Sequence, residues 1–129
     1  MPGSKSDYLE NKLLDHVLTN TAYSSPSDVY VGLYTVAPTD AGGGTEVTGN
    51  NYARESVSFA TASSGATSND AEFEFDTPSA TWGEVVAFGI FDALTSGNLL
   101  YWGDLTNAKT INSGDVVKFL VNELDVSEE

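Results

Sequence analysis

Residues 80–105 read ATWGEVVAFGIFDALTSGNLLYWGDL, and the fold turns on how this stretch is interpreted. Val85 to Phe91 is an almost unbroken apolar run, and Leu99 to Trp102 is a second one. Ser96-Gly97-Asn98 between them is a turn signal, so the pair reads as a β-hairpin. Apolar residues fill successive positions rather than alternating, which predicts strands covered on both faces, in the middle of a sandwich or barrel. Gly83, Gly89 and Gly103 stand beside aromatics, where a missing side chain leaves room for a bulge or a neighbouring ring.

Working outward, DVYVGLYTV (28–36) reads as the first strand and YARESVSFA (52–60) as the second. AEFEFDT (71–77) alternates, with Phe73 and Phe75 on one face and Glu72, Glu74 and Asp76 on the other. DVVKFLV (115–121) and ELDVS (123–127) close the series. The small-residue stretches 37–51, 61–69 and 107–114 read as loops or turns. Upstream, Leu9, Leu13, Leu14, Val17 and Leu18 recur at helical spacing. Ser6 or Asp7 can cap that helix, and Glu10 follows Asp7 at capping-box distance. The expectation is an all-β fold: an antiparallel, two-sheet, jelly-roll-like sandwich of about seven or eight strands. One domain covers 1–129, with a mobile lead-in at 1–6, one N-terminal α-helix at 7–19 and the sandwich at 28–127.

Composition narrows the function. The 129 residues contain no cysteine and a single histidine, His16, which excludes disulfides, thiolate metal ligation and multi-histidine metal sites. Nineteen acidic residues against five basic ones give a formal charge of -14, a surface that repels nucleic acid. No run approaches the ~18 apolar residues of a membrane span, and Met1 to Asp7 lacks a secretory pattern. A soluble protein without membrane or nucleic-acid partners is expected.

No catalytic set emerges. His16 has no serine in a nucleophile-elbow context, and the glycines at 42–44 lack the downstream residues of a phosphate loop. Glu72, Glu74 and Asp76 read as a solvated strand face, which leaves a glycosidase built on Glu72 or Glu74 remote. Asp40 and Glu46 lie in the long 37–51 loop without the spacing of a calcium loop. Catalytic, cofactor and metal residues are therefore expected to be none. Leu9, Leu13 and Val17 on the helix and Asp40 and Glu46 in the loop are the candidate partner contacts. Arg54, a rare cation among carboxylates, joins them as the expected partner of an acid, within the subunit or across a contact. The helix stripe is expected to be buried, on the sheet or against a neighbour.

Residues 82–115 (WGEVVAFGIFDALTSGNLLYWGDLTNAKTINSGD) resemble a family of small phage virion proteins catalogued as tail-fibre or head-decoration proteins. The runs YVGLYTVAPTDAGGGTEVTGNNYARESVSF (30–59) and LENKLLDHVLTNTAYSSP (9–26) carry the same resemblance. It implies a non-enzymatic virion structural protein assembled in the host cytoplasm, foremost a capsid decoration or cement protein on the outer head surface. There it would bind the major capsid protein or other virion proteins, as a homo-oligomer such as a trimer. A tail-fibre or tail-tip component is the alternative. A carbohydrate-binding module using Trp82, Tyr101 or Trp102 is the third reading.

Overall fold

The structure, a computed structural model, describes residues 3–128. It is an all-β fold in antiparallel sheets with one helix, as the patterning predicts. The elements are β1 (Gly3–Lys5), α1 (Asp7–Leu18), β2 (Val29–Val36), β3 (Thr45–Glu46) and β4 (Glu55–Val57). They continue with β5 (Ala66–Ser68), β6 (Phe73–Glu74), β7 (Gly83–Phe91), β8 (Leu99–Ile111), β9 (Lys118–Phe119) and β10 (Asp125–Ser127). A six-stranded sheet runs β1-β8-β7-β2-β3, with β4 also pairing β2, and two ribbons, β5-β10 and β6-β9, complete the pairing. Among the described residues this is ten strands rather than seven or eight. The arrangement is consistent with the expected sandwich, since ribbon residues such as Phe73 and Phe119 share one core with Val31, Leu33 and Val85 of the six-stranded sheet.

The 80–105 hairpin is the spine. β7 pairs β8 on one side, from Gly83↔Ile111 to Phe91↔Leu99, and β2 on the other, from Tyr30↔Phe91 to Tyr34↔Ala87. Its turn is closed by Asp92, whose Oδ1 accepts the Asn98 backbone N–H at 2.7 Å. Both faces of β7 are covered, as its composition requires. Val85 and Ile90 enter the main core with Val31, Leu33, Phe73, Phe75 and Leu124 from the other elements. Ala87 and Phe91 pack on the opposite face with Tyr34. A Cβ on Gly89 would lie 2.9 Å from Tyr34 Cε1 and 2.8 Å from Leu99 Cδ1, so the glycine makes room for the ring.

Other boundaries move. Gly3–Lys5 of the expected lead-in pair with Tyr101–Gly103, because β8 offers an open edge there; Met1 and Pro2 lie outside the described residues. Asn107–Ile111, expected as loop, extend β8, since Lys109–Ile111 find partners on β7. Ala66–Ser68, inside an expected loop, pair with β10. Phe73 and Phe75 are buried while Glu72, Glu74 and Asp76 are exposed, the alternation predicted for that strand.

The helix forms where expected, ending at Leu18. Ser6 is the N-cap, with Oγ accepting the Leu9 N–H at 3.2 Å. Ser6 also donates its N–H to Leu100 O at 2.8 Å, which ties the first turn to β8. The expectation that the whole stripe is buried requires correction within this chain. Only Leu9 is buried, and Leu14, Val17 and Leu18 are 56%, 72% and 73% exposed. The cause is geometric: the helix is held by its first turn and packs chiefly against β1 and β8 at the sheet edge.

Candidate interaction surface

The six candidate partner contacts fall into two groups: Asp40, Glu46 and Arg54, which are engaged within the chain, and Leu9, Leu13 and Val17 on the helix. Glu46 and Arg54 meet each other. Arg54 Nε and Nη2 donate to Glu46 Oε2 and Oε1 at 2.9 and 2.8 Å, a two-point fork. Arg54 Nη1 donates to Ala93 O at 2.9 Å and Ser96 O at 2.8 Å, and its guanidinium lies 3.5 Å above the Phe91 ring. The Tyr52 hydroxyl donates to Glu46 Oε2 at 2.6 Å and accepts the Leu33 N–H at 2.9 Å. Burial pulls the Arg54 pKa down, and the hydrogen bonds and charge of Glu46 more than offset it, leaving the guanidinium above its usual value. Burial, then the bond to Glu46, holds the Tyr52 phenol well above the ordinary tyrosine range. This cluster pins β3 and β4 to the β7–β8 turn. The acid that the sequence assigns to Arg54 is thus found inside the same chain.

Asp40 is also engaged internally. Its Oδ1 accepts Trp102 Nε1–H at 2.9 Å and its carbonyl accepts the Asp7 N–H at 2.7 Å. Asp40 and Glu46 therefore hold different parts of the sheet and share no site. The 37–51 loop is braced elsewhere by reciprocal Thr39–Gly42 bonds at 2.9 Å and by Trp82 Nε1–H donating to Asn50 O at 2.9 Å. Its length reflects these internal anchors, while Gly43, Gly44 and Thr48–Asn51 stay exposed.

The remaining group is the helix. Leu9 is in the core, Leu13 is half-buried and Val17 stands in solvent. Leu14 and Leu18 extend the same exposed stripe, and they were visible in the helical periodicity. Fully burying a Leu or Val side chain contributes about 1.5–3 kcal/mol. A 12-residue helix is marginal without tertiary packing, and this one uses one buried side chain for it. Leu14, Val17 and Leu18 thus form a large unpartnered apolar surface at the sheet edge. A second exposed set, Val116, Leu120 and Val121, flanks β9. Its only sequence signal was that both faces of DVVKFLV are apolar.

The aromatic rings considered for sugar binding are occupied. Trp82 is buried, and Tyr101 and Trp102 are half-buried with their polar atoms bonded to Glu128 and Asp40. His16 is exposed, with Nδ1 accepting the Tyr23 N–H at 3.2 Å. Among the described residues, no helix is long and apolar enough to cross a membrane.

Comparison with known proteins complements this geometry. The family described as podophage GP4 fiber I protein gp80 matches residues 4–127, nearly the full chain. No curated protein matches. The family match spans the helix, the hairpin and the closing ribbons alike: the chain belongs to the podophage GP4 fiber I protein gp80 family, a family of phage virion structural proteins.

Proposed function

We propose that this protein is a non-enzymatic fibre component of a bacteriophage virion, joined to its neighbours through the apolar stripe of α1. The observation that carries the reading is Leu14, Val17 and Leu18 standing exposed on a helix with one buried residue, in a member of a fibre family. Covering such a stripe favours association by mass action, whatever the partner's sequence. Its neighbours are other virion proteins, among them further copies of the chain in a closed assembly such as a trimer. The exposed part of the 37–51 loop is the second contact region.

The family description speaks of a fibre, which favours the tail-fibre or tail-tip reading over head decoration. The acidic surface, with formal charge -14, suits any position on the outside of a DNA-filled particle. The test is a phage carrying Val17→Asp and Leu18→Asp together. Both positions are exposed, so stability should change by within about 0.5 kcal/mol at each. The expected result is a folded variant that is missing from purified particles. Incorporation at the wild-type level would overturn the contact.

A further inference from the structure

β8 does not run smoothly along β7. Val85 pairs with Lys109 and Ala87 with Asp104, so Val86 alone stands opposite Leu105–Ala108. One residue against four is a bulge, a device that re-aims side chains and recurs beside binding sites. Beneath the bulge lies a cleft of about 420 Å³, bounded across from it by the β9 and β10 segments. That volume is within the about 300–1,000 Å³ typical of small-molecule sites. Its floor includes the buried side chains Val85 and Ile111.

The rim is chemically distinct from the rest of the surface. Lys109, Lys118, Glu123 and Asp125 line the cleft, giving two positive and two negative groups in a chain of formal charge -14. The other cations are engaged: Lys5 pairs with Glu128 at 3.0 Å, Arg54 forks onto Glu46, and Lys12 lies over the Tyr8 ring. Lys118 has Glu74 as its cross-strand neighbour. Glu123 Oε1 accepts the Leu120 N–H at 2.7 Å. Among the described residues, the side chains of Asn107, Lys109 and Asp125 make no hydrogen bond within the chain. The rim thus carries amide and ammonium donors together with carboxylate acceptors around an apolar floor.

We propose that this cleft is a binding site for a neutral saccharide. A sugar ring offers a C–H face for the floor and hydroxyls that both donate and accept for the rim. A balanced rim within an acidic field gives no preference to an anion. The site is separate from the α1 stripe, so it stands or falls independently of the attachment proposed above.

The experiment is amide-shift NMR on the full chain with glucose, galactose, mannose, rhamnose and N-acetylglucosamine trimers, and with trigalacturonate as the anionic control. The expected result is that at least one neutral trimer, at millimolar concentration, shifts the amides of Asn107, Lys109 and Val117. Asn107→Ala and Asp125→Ala should each weaken that binding about tenfold while the thermal transition is retained. Val117→Trp, which fills the cleft, should abolish it. Silence of these amides with every neutral trimer, shifts confined to another face, or stronger binding of trigalacturonate would overturn the proposal.

Discussion

The indole N–H of Trp102 donates to the carboxylate of Asp40 at 2.9 Å, joining residues 62 positions apart. The same Asp40 accepts the Asp7 N–H through its carbonyl, so one residue holds the loop, the centre of the hairpin and the start of the helix. Asp40→Ala removes the acceptor and leaves a half-buried indole N–H unpaired. The cost should be about 1–3 kcal/mol, the penalty for a stranded donor. Urea denaturation followed by tryptophan fluorescence measures it, and an unchanged midpoint would show the contact to be incidental.

Arg54 is the more demanding case. Its guanidinium serves Glu46, two backbone carbonyls and the Phe91 ring, with the Arg54 side chain 9% and the Glu46 side chain 21% exposed. Arg54→Ala strands a carboxylate and should destabilise by about 3 kcal/mol. Arg54→Lys should recover only part of this, because an ammonium cannot fork or stack as a guanidinium does. The double variant with Glu46→Ala should cost clearly less than the two single changes added together. Strict additivity in a double-mutant cycle would contradict the description of one cluster.

Three tyrosines make the fold sensitive to alkali. Burial pushes Tyr34 up to about 12, and raises Tyr52 and Tyr101 further above the ordinary tyrosine value. In the unfolded chain all three release their protons near pH 10. Below that value both states are protonated and the stabilisation is complete. As pH rises through 10 the unfolded state loses protons that the folded state retains, so stability falls. Tyr52 alone, whose hydroxyl donates to the Glu46 carboxylate, should contribute a slope of about 1.4 kcal/mol per pH unit. Urea midpoints between pH 9 and 11.5 should decline, and less steeply in Tyr52→Phe. A flat profile would contradict the burial of these phenols.

What could be read in advance follows from where the information lies. The 80–105 hairpin was legible because two dense apolar runs and a Ser-Gly turn admit few alternatives. The space at Gly89 was legible because aromatics crowd it. The helix was legible through its cap and period, but its exposure was not: amphipathicity demands a cover without saying which molecule supplies it. Ala66–Ser68 was missed because three small residues carry no strand signature until β10 arrives beside them. Arg54 was flagged by its rarity, and the choice of Glu46 among nineteen acids is set by tertiary pairing. The cleft depends on a register shift between β7 and β8, and no local pattern encodes a register shift of that size.

Immunogold labelling of intact particles with antibody to this protein decides whether the chain is a fibre component of the virion. A fibre component should place the gold on fibres alone, at the tail or its tip. Gold spread over the outer head surface would contradict it and restore the decoration reading, and unlabelled particles would remove the protein from the virion altogether.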